Sequence, residues 1–190
     1  AEGHATHLVR RLTDLLHGAG TFLPAPSSVG SAAARDVLLQ DPFVARAVAL
    51  WDQLDVAYVG IGGQEPSGLL ASRGNVFSPD DLRLVRGAGG VGDSGLRYLC
   101  ADGRPVDTPL DERVIGIGLE QLKRVPRSVA VAGGPRKTEA IRAALVGGWI
   151  NCLITDTYTA ERLMQMGPAQ DKMNGLEEEL VEEAMGAESS

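Results

Sequence analysis

"VAVAGGPRKTEAIRAAL", residues 129–145, decides the fold. Four apolar residues run without polar alternation into a Gly-Gly corner, then a lysine, then a helical stretch. An unbroken apolar run of that length reads as a strand covered on both sides. The same order of strand then helix occurs on either side of it. "RVIGIGLEQLKRVP" (113–126) precedes it, closed by Pro126, and "NCLITD" (151–156) followed by "TYTAERLMQMG" (157–167) comes after. Three strand–helix successions argue for an α/β protein with a Rossmann-like, mostly parallel sheet and helices on both faces.

Upstream, residues 5–17 place Leu8, Leu12, Leu15 and Leu16 on one helical face with Val9 at its edge, and Gly18 and Gly20 end that helix. "TFLPAPSS" (21–28) is an extended segment that its two prolines keep out of a sheet interior. "SAAARDVLLQD" (31–41) and the stretch from Pro42 to Leu54 are two helices broken at Asp41-Pro42. "VAYVGIGG" (56–63) reads as one buried strand running into glycines. Residues 64–77 form a loop, and Ser78 caps a helix with Pro79 in its first turn. "GAGGVGDSGLRYL" (87–99) is a glycine-rich turn entering a short strand, and Asp102-Gly103 makes a further turn.

The 190 residues suffice for one domain, and with 4% aromatics its core rests on Leu, Val, Ile and Ala. No run of 18 apolar residues spans a membrane, and the first residues lack a secretory pattern. Cys100 and Cys152 have no metal-ligand spacing and read as buried free thiols of a reducing cytoplasm. The net charge of −7 is concentrated in residues 176–190, which hold six Glu and no Lys or Arg. The remainder carries 19 acidic and 18 basic residues. A near-neutral body without a basic stripe does not bind nucleic acid through this chain. The acidic run reads as a solvated helix or tail.

In open parallel sheets ligands bind beyond the carboxyl ends of the strands. Four ends carry unusual residues: Gly60–Gly63 with Gly62, then Asp93, then Gly133-Gly134 with Lys137, then Thr155-Asp156. Amides at a helix start and a nearby ammonium hold an anion, and glycines let it approach the backbone. The competing reading is a tight turn with an exposed lysine. Asp93 offers acceptors to ligand hydroxyls or caps a turn. Arg73 clamps an anion or is solvated, and Asp156 caps the helix that follows it. His4 stands where a polar side chain can face a cleft. The glycine spacing excludes a P-loop, and no dinucleotide fingerprint is present, so no cofactor is expected. No metal set and no nucleophile–base arrangement emerges.

The order of these pieces carries more than any one of them. "LPAPSSV", "RDVLLQDP", "DVAYVGIG", "GAGGVGDSGLRYLCADGRPV", "ERVIGIGLEQLKRVP" and "VAVAGGPRKTEAIRAALVGGWINCLITDTYTAERLM" together resemble the sugar-binding domain of the SorC family of bacterial transcriptional regulators, over about residues 3–167. The resemblance implies a fold similar to glucosamine-6-phosphate deaminase and ribose-5-phosphate isomerase, used for sensing and not catalysis. It implies a phosphorylated sugar or sugar-like metabolite as effector, a homodimer or homotetramer, and contact with operator DNA through a helix-turn-helix domain outside this chain. By the same resemblance Lys137 contacts the phosphate, with Gly133 and Gly134 at the corner. Asp93 holds ligand hydroxyls, Arg73 is the loop arginine near the ligand, and His4 matches loosely. Against the family pattern, a first strand and a phosphate loop are missing, and glycine replaces apolar residues in "GAGGVG". Residues 1–175 are then the effector domain and 176–190 an acidic tail without a family counterpart. A sugar-phosphate isomerase or deaminase of similar fold is the alternative. The apolar surroundings of Phe43, Trp51, Trp149 and Tyr158 predict surface buried between subunits.

Overall fold

A computed structural model describes residues 3–64 and 77–167, with side chains from His7 onward. Seven α-helices and six strands lie among the described residues. In chain order they are α1 (Gly3–Leu16), α2 (Ala32–Leu39), α3 (Pro42–Val48), β1 (Val56–Val59), β2 (Ile61–Gly63), α4 (Pro79–Gly87), β3 (Gly90–Ser94), β4 (Arg97–Cys100), α5 (Leu119–Arg124), β5 (Arg127–Val131), α6 (Thr138–Val146), β6 (Cys152–Ile154) and α7 (Thr157–Met166).

The strands form two sheets of three. One is parallel, in the order β1-β5-β6, and the other antiparallel, in the order β2-β3-β4. This corrects the expectation of a single, mostly parallel sheet. The run 56–63 is not one strand: it breaks at Gly60, leaving β1 in the parallel sheet and β2 in the antiparallel one. The apolar pattern is continuous across the break, so it hides the change of partner. "GAGGVGDSGLRYL" is likewise a hairpin and not a turn with one strand, β3 pairing with β4 from Ser94 opposite Arg97. Its two-residue turn has Gly95 at φ 59° and Leu96 at φ 67°, the left-handed backbone that fits the twist of a tight hairpin. The strand expected at 113–118 shrinks to one bridge between Val114 and Ser28, because Gly116 and Gly118 interrupt it and Gly118 already caps α5.

Local signals hold elsewhere. Asp41 accepts from the amides of Phe43 and Val44 and starts α3. Ser78 and Asp81 form a reciprocal capping box at α4. Asp81 also receives Arg113 at 3.1 Å, and that guanidinium donates to the Val29 carbonyl and lies 5.4 Å over the Phe77 ring. Burial pushes the Asp81 carboxyl up, but the Ser78 bonds and Arg113 outweigh it and hold it below the ordinary range.

The main core joins the two sheets through α6. Its buried face is Ala140, Ile141, Ala143 and Ala144, packed with Ile61, Leu99 and Ala130. Small residues bring this helix close: a Cβ on Gly92 would collide with the Cβ of Ala140 and the carbonyl of Gly62. Full burial of Ile141 contributes on the order of 1.5–3 kcal/mol. Helices cover one face of the parallel sheet. On the other, Tyr58, Val131 and Ile154 are 66%, 53% and 53% exposed around a buried Val129, so the expected helical cover of both faces is incomplete among the described residues. The α1 stripe of Leu8, Leu12, Leu15 and Leu16 is exposed too. Trp149, expected at a subunit surface, is buried, its Nε1 donating to the Gly103 carbonyl at 2.6 Å, whereas Phe43 and Tyr158 are exposed. Both cysteines are free, but neither is the buried thiol expected: Cys100 is half-buried and Cys152 exposed. No described helix is long and apolar enough to cross a membrane.

Candidate functional site

The Gly-Gly corner lies at the carboxyl end of β5. Gly134 takes φ 95°, which strains any residue with a Cβ. Pro135–Lys137 then makes a 3-10 turn, closed by the Lys137 amide donating to the Gly134 carbonyl at 3.0 Å. Lys137 becomes the cap residue of α6 and is half-buried. Lys137 thus stands at the positive end of that helix.

Gly62, Asp93 and Tyr98 stand opposite one another across β2, β3 and β4. Gly62 has no side chain because the Asp93 carboxylate fills the space: a Cβ there would collide with Oδ1. Gly63 serves the corner itself, since a Cβ on it would come within 2.9 Å of the Arg136 carbonyl. Asp93 Oδ2 accepts from the Leu96 amide at 2.8 Å. Burial pushes the Asp93 carboxyl up, while the Leu96 bond and the Lys137 charge act the other way without cancelling it. Burial also raises the Tyr98 phenol, with the Asp93 and Asp81 charges adding to it. Lys137 and Asp93, separated by 44 positions, are therefore electrostatic neighbours.

On the other side of the corner is Asp156, the cap of α7. It accepts from the Thr159 amide at 2.9 Å, the Thr159 hydroxyl at 2.7 Å and the Gly134 amide at 3.0 Å. The Thr159 hydroxyl accepts from Gly134 at 2.8 Å in turn. These bonds, those from Thr159 foremost, hold the Asp156 carboxyl below the ordinary range. Gly133 is glycine because Asp156 occupies its Cβ position, and Thr155 Oγ1 lies 3.4 Å from that position. That hydroxyl is buried without a hydrogen-bond partner among the described residues.

The sequence-derived candidates thus fall into three groups. Lys137, Asp93 and Gly62 come together. Gly133 and Gly134 join them as the corner, but the Gly134 amide is spent on Asp156 and Thr159, so it is part of a structural joint. Arg73 lies outside the described residues, and His4 stands in α1 with its side chain outside them. Tyr98 and Thr159 were missed. The hairpin signal in "DSGLR" pairs Asp93 with Tyr98 once Gly95 is read as a turn residue. Thr159 is the third residue after a capping Asp, where a hydroxyl returns the cap. Chemically, the Lys137 side supplies positive charge and the Asp93 side supplies acceptors only. No group of three His, Cys, Asp or Glu suited to a metal occurs among the described residues.

A family model described as "Putative sugar-binding domain" matches residues 1–165. The chain is 34% identical over 149 residues to the transcriptional regulator LsrR of Klebsiella pneumoniae subsp. pneumoniae, covering 77% of this chain and 46% of that protein. It therefore spans about half the length of the curated relatives it matches. The sugar-binding domain of a transcriptional repressor from Vibrio fischeri superposes with a TM-score of 0.77 at 30% identity, covering 86% of this chain and 65% of that one. The full-length sorbitol operon regulator SorC from Klebsiella pneumoniae gives a TM-score of 0.77 at 28% identity, covering 84% and 52%.

Proposed function

This chain belongs to the family of sugar-binding domains of SorC-type bacterial transcriptional regulators, and on that premise we propose that it binds a phosphorylated sugar or polyol between Lys137 and Asp93. One observation carries the reading: a half-buried lysine caps α6 beside a carboxylate that Gly62 admits. An ammonium at a helix N-terminus suits a phosphate, and a carboxylate suits hydroxyls. The unpartnered Thr155 hydroxyl beside Gly133 adds a third group of the right chemistry. Arg73 and His4 are proposed to complete the ligand shell from the segments outside the described side chains.

Residues 1–175 are the effector unit in this reading, with a fold similar to glucosamine-6-phosphate deaminase and ribose-5-phosphate isomerase. The ligand is sensed, not turned over, and shifts the balance between two quaternary arrangements of a dimer or tetramer in the cytoplasm. Operator DNA is then contacted through a helix-turn-helix segment of the whole regulator. Control of this kind requires different affinities for the two arrangements. The relatives support a regulatory role, being named as regulators of transcription or of a sorbitol operon.

Calorimetry with Lys137→Ala tests the site. The variant is expected to lose about 1.5–3 kcal/mol of affinity for a sugar phosphate, the worth of a charge-assisted contact. Its affinity for the unphosphorylated sugar should hardly change. Equal losses for both remove the phosphate role.

A further inference from the structure

Leu96 is a non-glycine residue in the left-handed backbone region, at φ 67°. Leucine gains nothing from that conformation by itself. What holds it is the bond from its amide to Asp93 Oδ2, 2.8 Å long. The residue after it cannot give way, because Arg97 is anchored twice: Nη1 donates to the Asp111 carbonyl at 2.7 Å and Nη2 to the Gly116 carbonyl at 3.3 Å. Any slack in the hairpin therefore falls on Gly95-Leu96. The carboxylate that clamps this turn is the one that fills the space over Gly62 and feels the Lys137 charge.

We infer that Asp93 is shared between the binding site and the β3–β4 turn, so that a ligand donating hydroxyls to its carboxylate loosens the left-handed Leu96. Donors on one carboxylate compete for the same negative charge, and a further donor weakens the bond to Leu96. The turn thereby becomes the first element to register occupancy. The ligand half of this inference rests on the sugar-phosphate reading; the clamp itself does not.

Two measurements on the 190-residue chain decide it. The first needs no ligand. Asp93→Ala removes the clamp and is expected to lower the unfolding midpoint by about 4 °C. Leu96→Gly takes φ 67° freely, and in that background Asp93→Ala should cost less than half as much. Additive shifts would show that Asp93 does not hold the turn, and would overturn the inference. The second is hydrogen exchange of peptides covering 93–98, with glucose 6-phosphate, mannose 6-phosphate and galactose 6-phosphate as probes and sulfate as control. A bound sugar phosphate should speed exchange there at least threefold in the native chain but not in Leu96→Gly. Sulfate, which has no proton to donate, should not. A sugar phosphate that binds without changing the turn overturns the coupling and leaves the binding reading intact. If none of the probes binds, the ligand coupling is overturned together with the sugar-phosphate reading, and the first measurement decides the clamp separately.

Discussion

Asp93 and Asp156 flank the same Gly-Gly corner and have opposite chemistry. Asp156 lies at the surface with three donors on its carboxylate, and its pKa falls. Asp93 is half-buried with one backbone donor and the Lys137 charge acting on it, and its pKa rises. A carboxylate already supplied with donors fastens two elements together and has little left to offer. One that is half-buried and under-supplied gains from any donor that arrives. The comparison assigns the joint to Asp156 and the ligand to Asp93, although the two look alike as single letters; Asp93 lies within β3 and Asp156 just beyond β6.

The most damaging way to break the comparison is to separate its halves. Gly92→Ala sets a methyl against Ala140 and the Gly62 carbonyl, the seam that brings α6 and Lys137 to Asp93. It is expected to cost about 3 kcal/mol, since neither a helix backbone nor a strand carbonyl yields easily. Urea unfolding measures this; a cost below about 1 kcal/mol would mean that the seam is loose and the Lys137–Asp93 proximity fortuitous.

A smaller effect is expected at the joint. Thr159→Val keeps the shape and removes the hydroxyl that receives Gly134 and donates to Asp156. Thr159 is fully buried, so about 2 kcal/mol of stability should be lost. Affinity for a sugar phosphate should stay within about twofold of the native value, a difference near 0.4 kcal/mol. A tenfold loss would place Asp156 and Thr159 in the site and dissolve the distinction.

The smallest effect is a matter of sign. The folded state binds the Asp93 proton more tightly than the unfolded chain does, so its contribution is stabilising below the ordinary pKa of 3.8. That contribution disappears as pH rises through the raised value. Asp156 works in the opposite direction: its contribution is present above 3.8 and is lost as pH falls through the lowered value. Asp93→Asn mimics the protonated form and keeps an acceptor for Leu96. Relative to the native chain it should gain stability between pH 3.5 and pH 7. Denaturant titrations of both proteins at the two pH values check this, and a relative loss at pH 7 would make the ionised carboxylate a net stabiliser.

The residues that were legible in the sequence act on near neighbours in the chain. Lys137 at the start of α6 follows from a glycine corner before a helical stretch, and Ser78 and Asp156 from caps that reach three residues ahead. The family pattern, carried by the same local blocks, identified the domain type. Tyr98, Thr159 and the uses of the glycines were not legible. Their reasons are distant: Gly62 makes room for Asp93, Gly92 for Ala140, and Gly133 for Asp156. Glycines that read as room for a ligand turn out to be room for the protein's own parts.

By itself, the sequence determined where most helices start, that strands and helices alternate, and which side chains carry charge near a corner; the helix expected from Pro42 to Leu54 ends at Val48, with a 3-10 turn after it. Periodicity, capping and turn chemistry operate over a few residues and leave their mark in the order of letters. Only the tertiary structure decided that Val56–Gly63 changes sheets at Gly60, that Tyr58, Val131 and Ile154 stay exposed on one face of the parallel sheet, and that the Lys137 charge reaches Asp93 across 44 positions. Strand partners, burial and the electrostatic setting of a carboxylate depend on what other segments bring near. An aspartate's letter is the same whether three donors surround it or one.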